Sequence, residues 1–380
     1  MQKIQSCTNC VMDSTDSNIT FDSKGVCDHC SRFFNLHEKT WNQSLEGKNL
    51  NKLEKIVKEI RQSGVNNEYD CFLGLSGGCD SSYLLHYIVT ELKLKPLVFH
   101  VDTGWNSKEA VENIHNLISK LNLELHVKVI NWEEMKDLQL AFFKSGLSNI
   151  DMPQDHAFMA TLYNFAEQHD IKYILNGGNI STEAVSVPLE WMYYQSDVTL
   201  LKDIERKFMK FPLSSFPTSS AVNHRINLRF LKGIKVIKAL DYIPYIKSEA
   251  EEILKEKYNW NSFSNKHYES IFTKFYEGYW LPKRFNFDTR KITYSSMILT
   301  GQMTREEALK KISKFPLSEK EINVEFSYIA KKLEITEKEL KDFMMMPLKT
   351  FKDYKNQNLV YKMGAFGSYL FKQDISGAKR

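Results

Sequence analysis

The sequence predicts an α/β fold built on a doubly wound parallel sheet, with a small cysteine module before it and an α-helical C-terminal region after it. Three observations predict this arrangement. Apolar strand-like runs alternate with helical patterns between residues 69 and 240, as in βαβ units around a parallel sheet. Two CxxC pairs precede this stretch, and repeated helix-start signals follow it. We predict three regions, at 1–45, 46–245 and 246–380.

The overall composition narrows the class of protein. Apolar residues make up 42% of the chain and charged residues 26%, which is typical of a globular protein. The net charge of +4 neither requires nor excludes nucleic acid as a ligand. No apolar run reaches the roughly 18 residues of a membrane span, and the first residues lack the apolar core of a signal peptide. We therefore expect a cytoplasmic protein.

The first module carries two cysteine pairs with sixteen residues between them, Cys7 with Cys10 and Cys27 with Cys30. Each pair can bind one side of a tetrahedral ion, and four thiolates make a closed site of the structural zinc type. An iron–sulfur cluster or a redox pair is the alternative. His29 lies within the second pair, but four sulfur ligands suffice without it.

The centre of the chain is a strand, predicted at 69–75, that runs into a glycine-bearing turn and a helix from Ser81 to Glu91. Glycines let the backbone approach a ligand closely, and the free N–H groups of a helix start bind anions. Asp80 adds a carboxylate that can hold Mg²⁺ against phosphate oxygens. The predicted phosphate-binding residues are Ser76, Gly77, Gly78, Ser81 and Ser82.

Two further strand ends carry polar or glycine residues. Val101, Asp102 and Gly104 follow the strand predicted at 96–101, whereas Gly177 and Gly178 follow the one at 172–175. Because the carboxyl ends of parallel strands meet at one edge of the sheet, we expect them to converge on the crevice beside the glycine turn. The alternative for Asp102 is a cap of the helix that follows it.

The remainder of the chain is less regular before it becomes helical. Residues 184–233 are mixed and aromatic, which fits either substrate contacts or a packed surface lobe. The last region contains cations that could hold pyrophosphate or a substrate phosphate, although such charges also occur on solvated faces. These cations are Lys266, Lys283, Arg284, Arg290 and Lys291. Capping boxes predict helix starts at Ser248, Thr304, Ser318 and Thr336.

The Ser-Gly-Gly-Cys-Asp-Ser turn resembles the PP-loop of the ATP pyrophosphatases, which cleave ATP between its α- and β-phosphates and share an adenine-nucleotide alpha-hydrolase-like fold. The whole chain resembles the N-acetyl sugar amidotransferases, PP-loop enzymes of lipopolysaccharide O-antigen, other surface-polysaccharide and nonulosonic-acid biosynthesis. The motifs that carry this resemblance are the cysteine module with Met12 and Asp13, the glycine turn, and the segments 155–157, 266–270 and 301–308.

The resemblance implies that an ATP-dependent enzyme converts a sugar's N-acetyl group to an acetamidino group, with release of AMP and pyrophosphate. It implies that Asp80 and Glu183 hold Mg²⁺, that the residues after the second strand hold adenine and ribose, and that Gly177 and Gly178 lie near the phosphates. Asp155 or His156 would orient the amide or handle ammonia protons, and for His156 a structural role is the alternative.

The source of ammonia is a further expectation. An N-terminal cysteine glutaminase is excluded because residue 2 is Gln2, and the cysteines outside the CxxC pairs lie in a strand and in the glycine turn. We therefore expect a separate glutaminase subunit, with a cyclase-like partner as the resemblance implies. The rival functions are base thiolation by a tRNA-modifying PP-loop enzyme and nucleotide sensing without turnover.

Overall fold

The computed structural model describes residues 4–65, 67–220, 223 and 231–363. In these residues the sheet is parallel throughout, with the strand order β3-β2-β1-β4-β5. The strands are β1 (Cys71–Gly74), β2 (Pro96–Asp102), β3 (Leu125–Val129), β4 (Tyr173–Leu175) and β5 (Lys235–Ile237). The chain leaves β1 toward β2 on one side and reaches β4 on the other. The carboxyl end of β1 is therefore the switch point where α/β sheets bind ligands, and the predicted fold class is confirmed.

Helices cover the sheet and make up the last third of the described chain. None of the described helices combines the length and apolar character that crossing a bilayer requires. The helices are α1 (Asp28–Leu36), α2 (Glu38–Leu45), α3 (Leu50–Ser63), α4 (Cys79–Thr90), α5 (Lys108–Leu121), α6 (Trp132–Ser145), α7 (Met152–Gln168), α8 (Ile180–Glu183), α9 (Val198–Phe208), α10 (Lys247–Tyr258), α11 (Ile271–Phe275), α12 (Leu281–Phe285), α13 (Arg290–Leu299), α14 (Arg305–Ile312), α15 (Glu319–Lys332) and α16 (Glu337–Met345).

Three of the four predicted capping boxes are present. Thr304, Ser318 and Thr336 each form the predicted capping box. The box predicted at Ser248 is wrong, because α10 already begins at Lys247. The backbone N–H of Lys247 donates to the side chain of Gln302 over 3.1 Å. A tertiary contact thus satisfies a helix-start N–H that a local cap would otherwise take.

Several described helices occur where no helix was predicted, and α6 and α9 are the longest of them. The first, α6, is buried on most of its circumference, including Leu138 through Phe143, so its apolar residues do not form a single stripe with helical period. The second, α9, lies within the stretch 184–233; Asp197 caps it by accepting from the N–H groups of Thr199 and Leu200. The part of that stretch at 221–222 and 224–230 lies outside the described residues.

Successive residues of the central strand point to opposite faces of the sheet, and both faces are buried. Phe72 packs into the core on the face with α6, together with Phe99 and Phe142. Leu73 packs into the other core, with Leu84 of α4. Because β1 is covered on both sides, its loops at the carboxyl edge are held by two packed layers.

The cysteine module is docked on the C-terminal helices. Arg305 donates to the backbone carbonyls of Cys7 and Cys10, over 2.8 and 3.0 Å. The ammonium of Lys291 contacts Asp13 at 2.5 Å, and both side chains are nearly buried. The first and last regions of the chain therefore pack against each other on one side of the sheet domain.

Candidate active site

Side chains of other elements hold the turn between β1 and α4 in place. Gly77 has a φ of +83°, and a Cβ there would lie 2.6 Å from the carbonyl oxygen of Ala110. The Gly77 carbonyl accepts from Trp260 Nε1 and from Asn113 Nδ2, both at 3.0 Å. Only glycine tolerates this backbone position without strain, so the turn is held in one conformation before any ligand arrives.

A cavity of about 490 Å³ opens in front of this turn at the carboxyl edge of the sheet. Its volume is in the range of sites for nucleotide-sized ligands. One wall is apolar, with Val101, Phe158, Leu162 and Ile174. The structure brings together these predicted site residues in its lining: Ser76, Gly78, Asp80, Ser81, Val101, Asp155, Gly177 and Glu183.

Several predicted nucleotide contacts lie behind the cavity and shape it. Asp102 accepts from the N–H of Gly104 at 2.8 Å and from the amide of Asn106 at 3.1 Å, so it fixes the turn after β2. It does not cap α5, because Ser107 does so. Gly77 and Ser82 belong to the loop without lining the cavity, and Ser82 is fully buried.

Gly178 also lies just outside the lining, beside Glu183. A Cβ at Gly178 would lie 2.8 Å from the side-chain oxygen of Asn176 and 3.1 Å from Oε2 of Glu183. A larger residue here would therefore push against the carboxylate that the sequence predicts as a metal ligand.

The structure does not bring three predicted catalytic side chains into the cavity. His156 is 1% exposed; its Nδ1 donates to the carbonyl of Gln195 at 2.7 Å, and its Nε2 accepts from the N–H of Ser219. Burial lowers the pKa of His156, which matches the structural alternative. Arg284 donates to the backbone carbonyls at 346 and 347, and Lys283 is exposed; both lie on α12, away from the lining residues.

Asp80 and Glu183 converge on a single cation, the ammonium of Lys266. Its Nζ lies 2.9 Å from Asp80 Oδ2 and 2.6 Å from Glu183 Oε1, and Tyr245 donates to the other oxygen of Asp80. Burial raises the pKa of Asp80, but Lys266, Lys247 and Tyr245 together outweigh it, so the pKa is lowered overall. The two carboxylates can therefore share one cation, which is the donor set that Mg²⁺ requires.

A second charged side chain of the same segment lies against the glycine turn. Glu269 accepts from the hydroxyl of Ser76 at 3.1 Å, and a Cβ at Gly78 would lie 2.6 Å from its Oε1. The carboxylate thus lies on the face of the turn that phosphate oxygens would approach. The sequence prediction included Lys266 among the cations and missed Glu269, although the two residues lie only three positions apart.

The cavity also has an acidic end that the sequence prediction recognised only through Asp155. His267 is half exposed and contacts Glu277 at 3.1 Å. Burial lowers the pKa of His267, but Glu277 outweighs it and raises the pKa to about 9. The described residues of this lining include seven with carboxyl groups and two lysines. The carboxyl residues are Asp80, Asp151, Asp155, Glu183, Glu251, Glu269 and Glu277.

A second cavity, of about 480 Å³, adjoins the first and shares Glu183, Lys266 and His267 with it. Lys238 and Lys311 also line this space. It lies against α8, α13 and the end of α14, and α13 and α14 carry the side chains on which the cysteine module is docked. The two cavities are therefore neighbouring compartments separated by the segment that carries Lys266.

The four predicted cysteine ligands form one cluster. All four are fully buried, and their sulfur atoms lie within 4.8 Å of one another, with closest pairs at 3.6 to 3.8 Å. A tetrahedral zinc ion with Zn–S bonds of about 2.3 Å has sulfur–sulfur edges of about 3.8 Å. His29 contacts Asp16 at 2.9 Å, so it is engaged outside the cluster. The cluster could bind a single metal ion.

Comparison with known families matches two parts of the chain. Residues 70–150 match the phosphoadenosine phosphosulfate reductase domain, and residues 269–366 match the C-terminal domain of the LPS biosynthesis protein WbpG-like family. A curated relative, the uncharacterized protein MJ1599 of Methanocaldococcus jannaschii, is 30% identical over 126 residues. That match covers 32% of this chain and 41% of the relative's length.

Two solved structures are also similar. An NH3-dependent NAD synthetase from Campylobacter jejuni is 25% identical, with a TM-score of 0.27, over 34% of this chain and 56% of that chain. The U34-tRNA thiolase NcsA from Methanococcus maripaludis, solved with its [4Fe-4S] cluster, is 15% identical, with a TM-score of 0.30, over 80% of this chain and 89% of that chain.

The two family matches fall on the regions that the motifs singled out. The first covers the glycine turn and the strands β1, β2 and β3, and the second begins at Glu269 and runs through the C-terminal helices. The predicted resemblance is confirmed at this level. The chain therefore combines a PP-loop region similar to the phosphoadenosine phosphosulfate reductase domain with a WbpG-like C-terminal domain.

Proposed function

We propose that this chain is an ATP-dependent amidotransferase that replaces the carbonyl oxygen of a sugar's N-acetyl group with nitrogen, releasing AMP and pyrophosphate. The observation that carries the proposal is the pairing of two adjoining cavities across Lys266. One has the PP-loop in its wall and the other has lysines for an anionic substrate. The WbpG-like domain supports a substrate from surface-polysaccharide synthesis.

In the proposed reaction the amide oxygen attacks the α-phosphorus of ATP, and pyrophosphate leaves. The resulting O-adenylyl imidate is then attacked at carbon by ammonia, and AMP leaves to give the amidine. Such phosphoryl transfer depends on positioning and on charge stabilisation more than on covalent help from the protein. The backbone N–H groups of the glycine turn and the hydroxyls of Ser76 and Ser81 would hold the departing pyrophosphate.

The charge of the cavity explains why ATP must arrive with cations. Carboxyl groups outnumber lysines in the described lining, so a polyanion alone would be repelled. Asp80 and Glu183 would hold Mg²⁺, which supplies charge neutralisation for the phosphates. Lys266, released from the two carboxylates, would be free to contact phosphate oxygens, and Glu269 would withdraw from Ser76.

For the cysteine cluster we propose structural zinc, because four buried sulfur atoms at these spacings fit one tetrahedral ion. For ammonia we propose a separate glutaminase subunit. Burial raises the pKa of Cys79 to about 12, and Cys71 is fully buried in β1. Neither thiol is therefore suited to act as the thiolate nucleophile of a glutaminase.

The test is an assay of AMP and pyrophosphate release with ATP, Mg²⁺, ammonium chloride and a panel of acetamido sugars, free and linked to UDP or CMP. We expect both products only with one class of sugar, together with a sugar lighter by the difference between an oxygen atom and an NH group. Release of ADP and inorganic phosphate would refute the mechanism. Tight, salt-sensitive binding of tRNA with no sugar turnover would instead favour the tRNA-modifying alternative.

A further inference from the structure

The segment between the two cavities places an imidazole ring at their junction. Lys266 anchors the start of this segment on Asp80. At its end, the carbonyl of Glu269 accepts from the N–H of Ser107 at 2.9 Å. His267 lies between these anchors and lines both cavities, and its side chain is 51% exposed. The ring is therefore open to a ligand in either space.

The backbone of His267 is strained. Its φ of +66° lies in the left-handed region, which histidine adopts more readily than most residues with a side chain, though still at a cost in free energy. Strained residues of this kind cluster at active sites and ligand clamps, where the surrounding structure holds them. Strain at the wall of both cavities points to a role for this side chain beyond connecting Lys266 to Glu269.

Glu277 orients the ring and sets its charge. One of its oxygens contacts Nδ1 of His267 at 3.1 Å, and the other accepts from the hydroxyl of Thr289 at 3.2 Å. Glu277 lies in a π-helical turn, Tyr276–Trp280, that follows α11, and insertions of this helix type are frequent at functional sites. Because this carboxylate holds the pKa of His267 above its ordinary value, the ring is an imidazolium at neutral pH and has two N–H donors.

The second donor of the ring has no partner. Nε2 of His267 makes no hydrogen bond to any of the described residues. The lysines that line both cavities are engaged, since Lys266 contacts Glu183 at 2.6 Å and Lys247 lies 3.9 Å from Glu251. The junction therefore presents one charged N–H group, fixed by Glu277, to whatever enters the cavities.

We propose that His267 is a catalytic residue that donates a hydrogen bond from Nε2 to a non-bridging oxygen of the α-phosphate during adenylation; this inference rests on the proposed function. There the glycine turn holds the outer phosphates and the second cavity holds the sugar, so the α-phosphorus and the amide oxygen meet at the junction. As the bond from the amide oxygen to phosphorus forms, the bond from phosphorus to the α,β-bridging oxygen breaks. Its electron pair leaves with pyrophosphate, and the imidazolium keeps its proton throughout.

The test compares His267→Asn with His115→Asn in the full-length chain. Asparagine tolerates the left-handed backbone but supplies no cation. We expect His267→Asn to lower kcat for amidine formation by about 100-fold or more, while the dissociation constant for ATP from calorimetry changes by less than about threefold. His115 is exposed on α5 and lines neither cavity, so His115→Asn should leave both quantities unchanged.

The pH profile separates this role from a structural one. In the wild type kcat should fall as the pH rises through about 9, where the ring loses its proton, and the residual activity of His267→Asn should lack this fall. The other titratable groups around the ring are Lys266 and Glu269 of its segment, Glu277, and Asp151 across the cavity, whose pKa burial raises to about 8. They are present in both proteins, so an equal fall in both would overturn the proposal.

A second variant keeps the imidazole and removes the neighbouring charge. Because Glu277 raises the pKa of His267, Glu277→Gln should move the fall in kcat to lower pH. A fall that stays at the wild-type pH would show that the imidazolium does not act in the reaction.

Positional isotope exchange distinguishes this inference from the proposed function. In ATP labelled with ¹⁸O at the α,β bridge, reversible adenylation moves the label to non-bridging positions when the sugar is present and ammonium is absent. We expect this exchange in the wild type and a rate about 100-fold lower in His267→Asn. Wild-type exchange and amidination, with unchanged rates in His267→Asn, would overturn the role of His267 alone. No sugar-dependent exchange or amidine in the wild type would overturn the proposed function as well.

Discussion

The cysteine cluster and the cavity beside the glycine turn both gather polar groups, but they are completed differently. In the cluster, four sulfur atoms face one point, and backbone N–H groups donate to them, such as that of Cys27 to Cys7 Sγ at 3.2 Å. In the cavity, Lys266 is held by Asp80 and Glu183, and Glu269 lies on Ser76. The cluster is a closed set of sulfur atoms that could hold one ion, whereas the cavity keeps its charges on side chains that can exchange partners. The first arrangement is typical of structural metal sites, and the second is suited to binding and release.

The largest effect should come from removing the metal. Chelation, or Cys10→Ser, should lower the free energy of unfolding by about 5 kcal/mol or more, because metal binding to such modules contributes directly to folding. Arg305 and Lys291 couple the module to the C-terminal helices, so the loss should spread to them. Thermal unfolding with and without chelator, together with elemental analysis, checks this.

Re-addition of zinc to the chelated protein is the control and should restore the original unfolding temperature. An unchanged unfolding temperature in metal-free protein would show that the cluster is not structural. Iron in place of zinc in the isolated protein would favour the iron–sulfur alternative.

The next largest effect should come from Lys266→Met. This change leaves Asp80 and Glu183 facing each other without their cation and removes a contact for the phosphates, so kcat/KM for ATP should fall by about 100-fold or more. Lys255→Met is the matched control, because Lys255 lies on the surface of α10 and contacts only Glu251 among the described ion pairs. If both variants release pyrophosphate at the wild-type rate, the exchange of partners at Lys266 is not part of the reaction.

The two glycines of the turn allow an effect on folding stability to be compared with an effect on ligand binding. Gly77→Ala should lower the free energy of unfolding by about 1–3 kcal/mol, because its φ is +83° and its Cβ would meet a backbone oxygen. Gly78 has an ordinary φ of −73°, and its Cβ would meet only the movable end of Glu269. Gly78→Ala should therefore keep stability and weaken ATP binding, as measured by denaturation and calorimetry. Equal losses of stability in both would contradict this distinction.

The smallest effect concerns pH. Because Glu277 raises the pKa of His267 from 6.5 to about 9, the ion pair stabilises the fold fully below about pH 6.5. This stabilisation is lost as the pH rises through 9, and it should stay below about 1 kcal/mol because the half-exposed ring is screened by solvent. His267→Asn tests it, since asparagine tolerates the left-handed backbone of this residue.

The carboxyl group of Asp151 has a pKa raised to about 8. It therefore makes the free energy of unfolding fall as the pH rises, in the wild type and in His267→Asn alike. The relevant quantity is therefore the difference between wild type and His267→Asn in denaturant unfolding at pH 6 and pH 10. The contribution of the ion pair is excluded if this difference does not shrink toward the higher pH.

Local patterns were sufficient for the elements whose determinants are neighbours in sequence. The strands β1, β2 and β4, the glycine turn and three capping boxes were predicted, because short apolar runs, glycine turns and caps depend on residues a few positions apart. The helix α6 was missed because its burial on most sides hides its period. Asp151 and Glu277 were missed because no motif links residues more than a hundred positions apart.

Arg284 is a case that the sequence left open. It was predicted either to hold phosphate or to lie on a solvated face, and in the structure its hydrogen bonds go to backbone carbonyls and its guanidinium lies over the ring of Trp280. Whether a charge faces a cavity or a neighbouring chain segment depends on which face of its helix is covered, and that is a property of packing.

The sequence by itself determined the strand–turn–helix that can bind phosphate and the four thiols that can share an ion, because the groups involved are held together by short stretches of chain. Only the tertiary structure decided which cations and carboxylates meet. Lys266 reaches Asp80 and Glu183 from a distant segment, and the hydroxyl of Tyr276, which has no hydrogen-bond partner among the described residues, lies in the cavity with Asp151. Such contacts follow from how packed layers bring separate segments to one edge of the sheet.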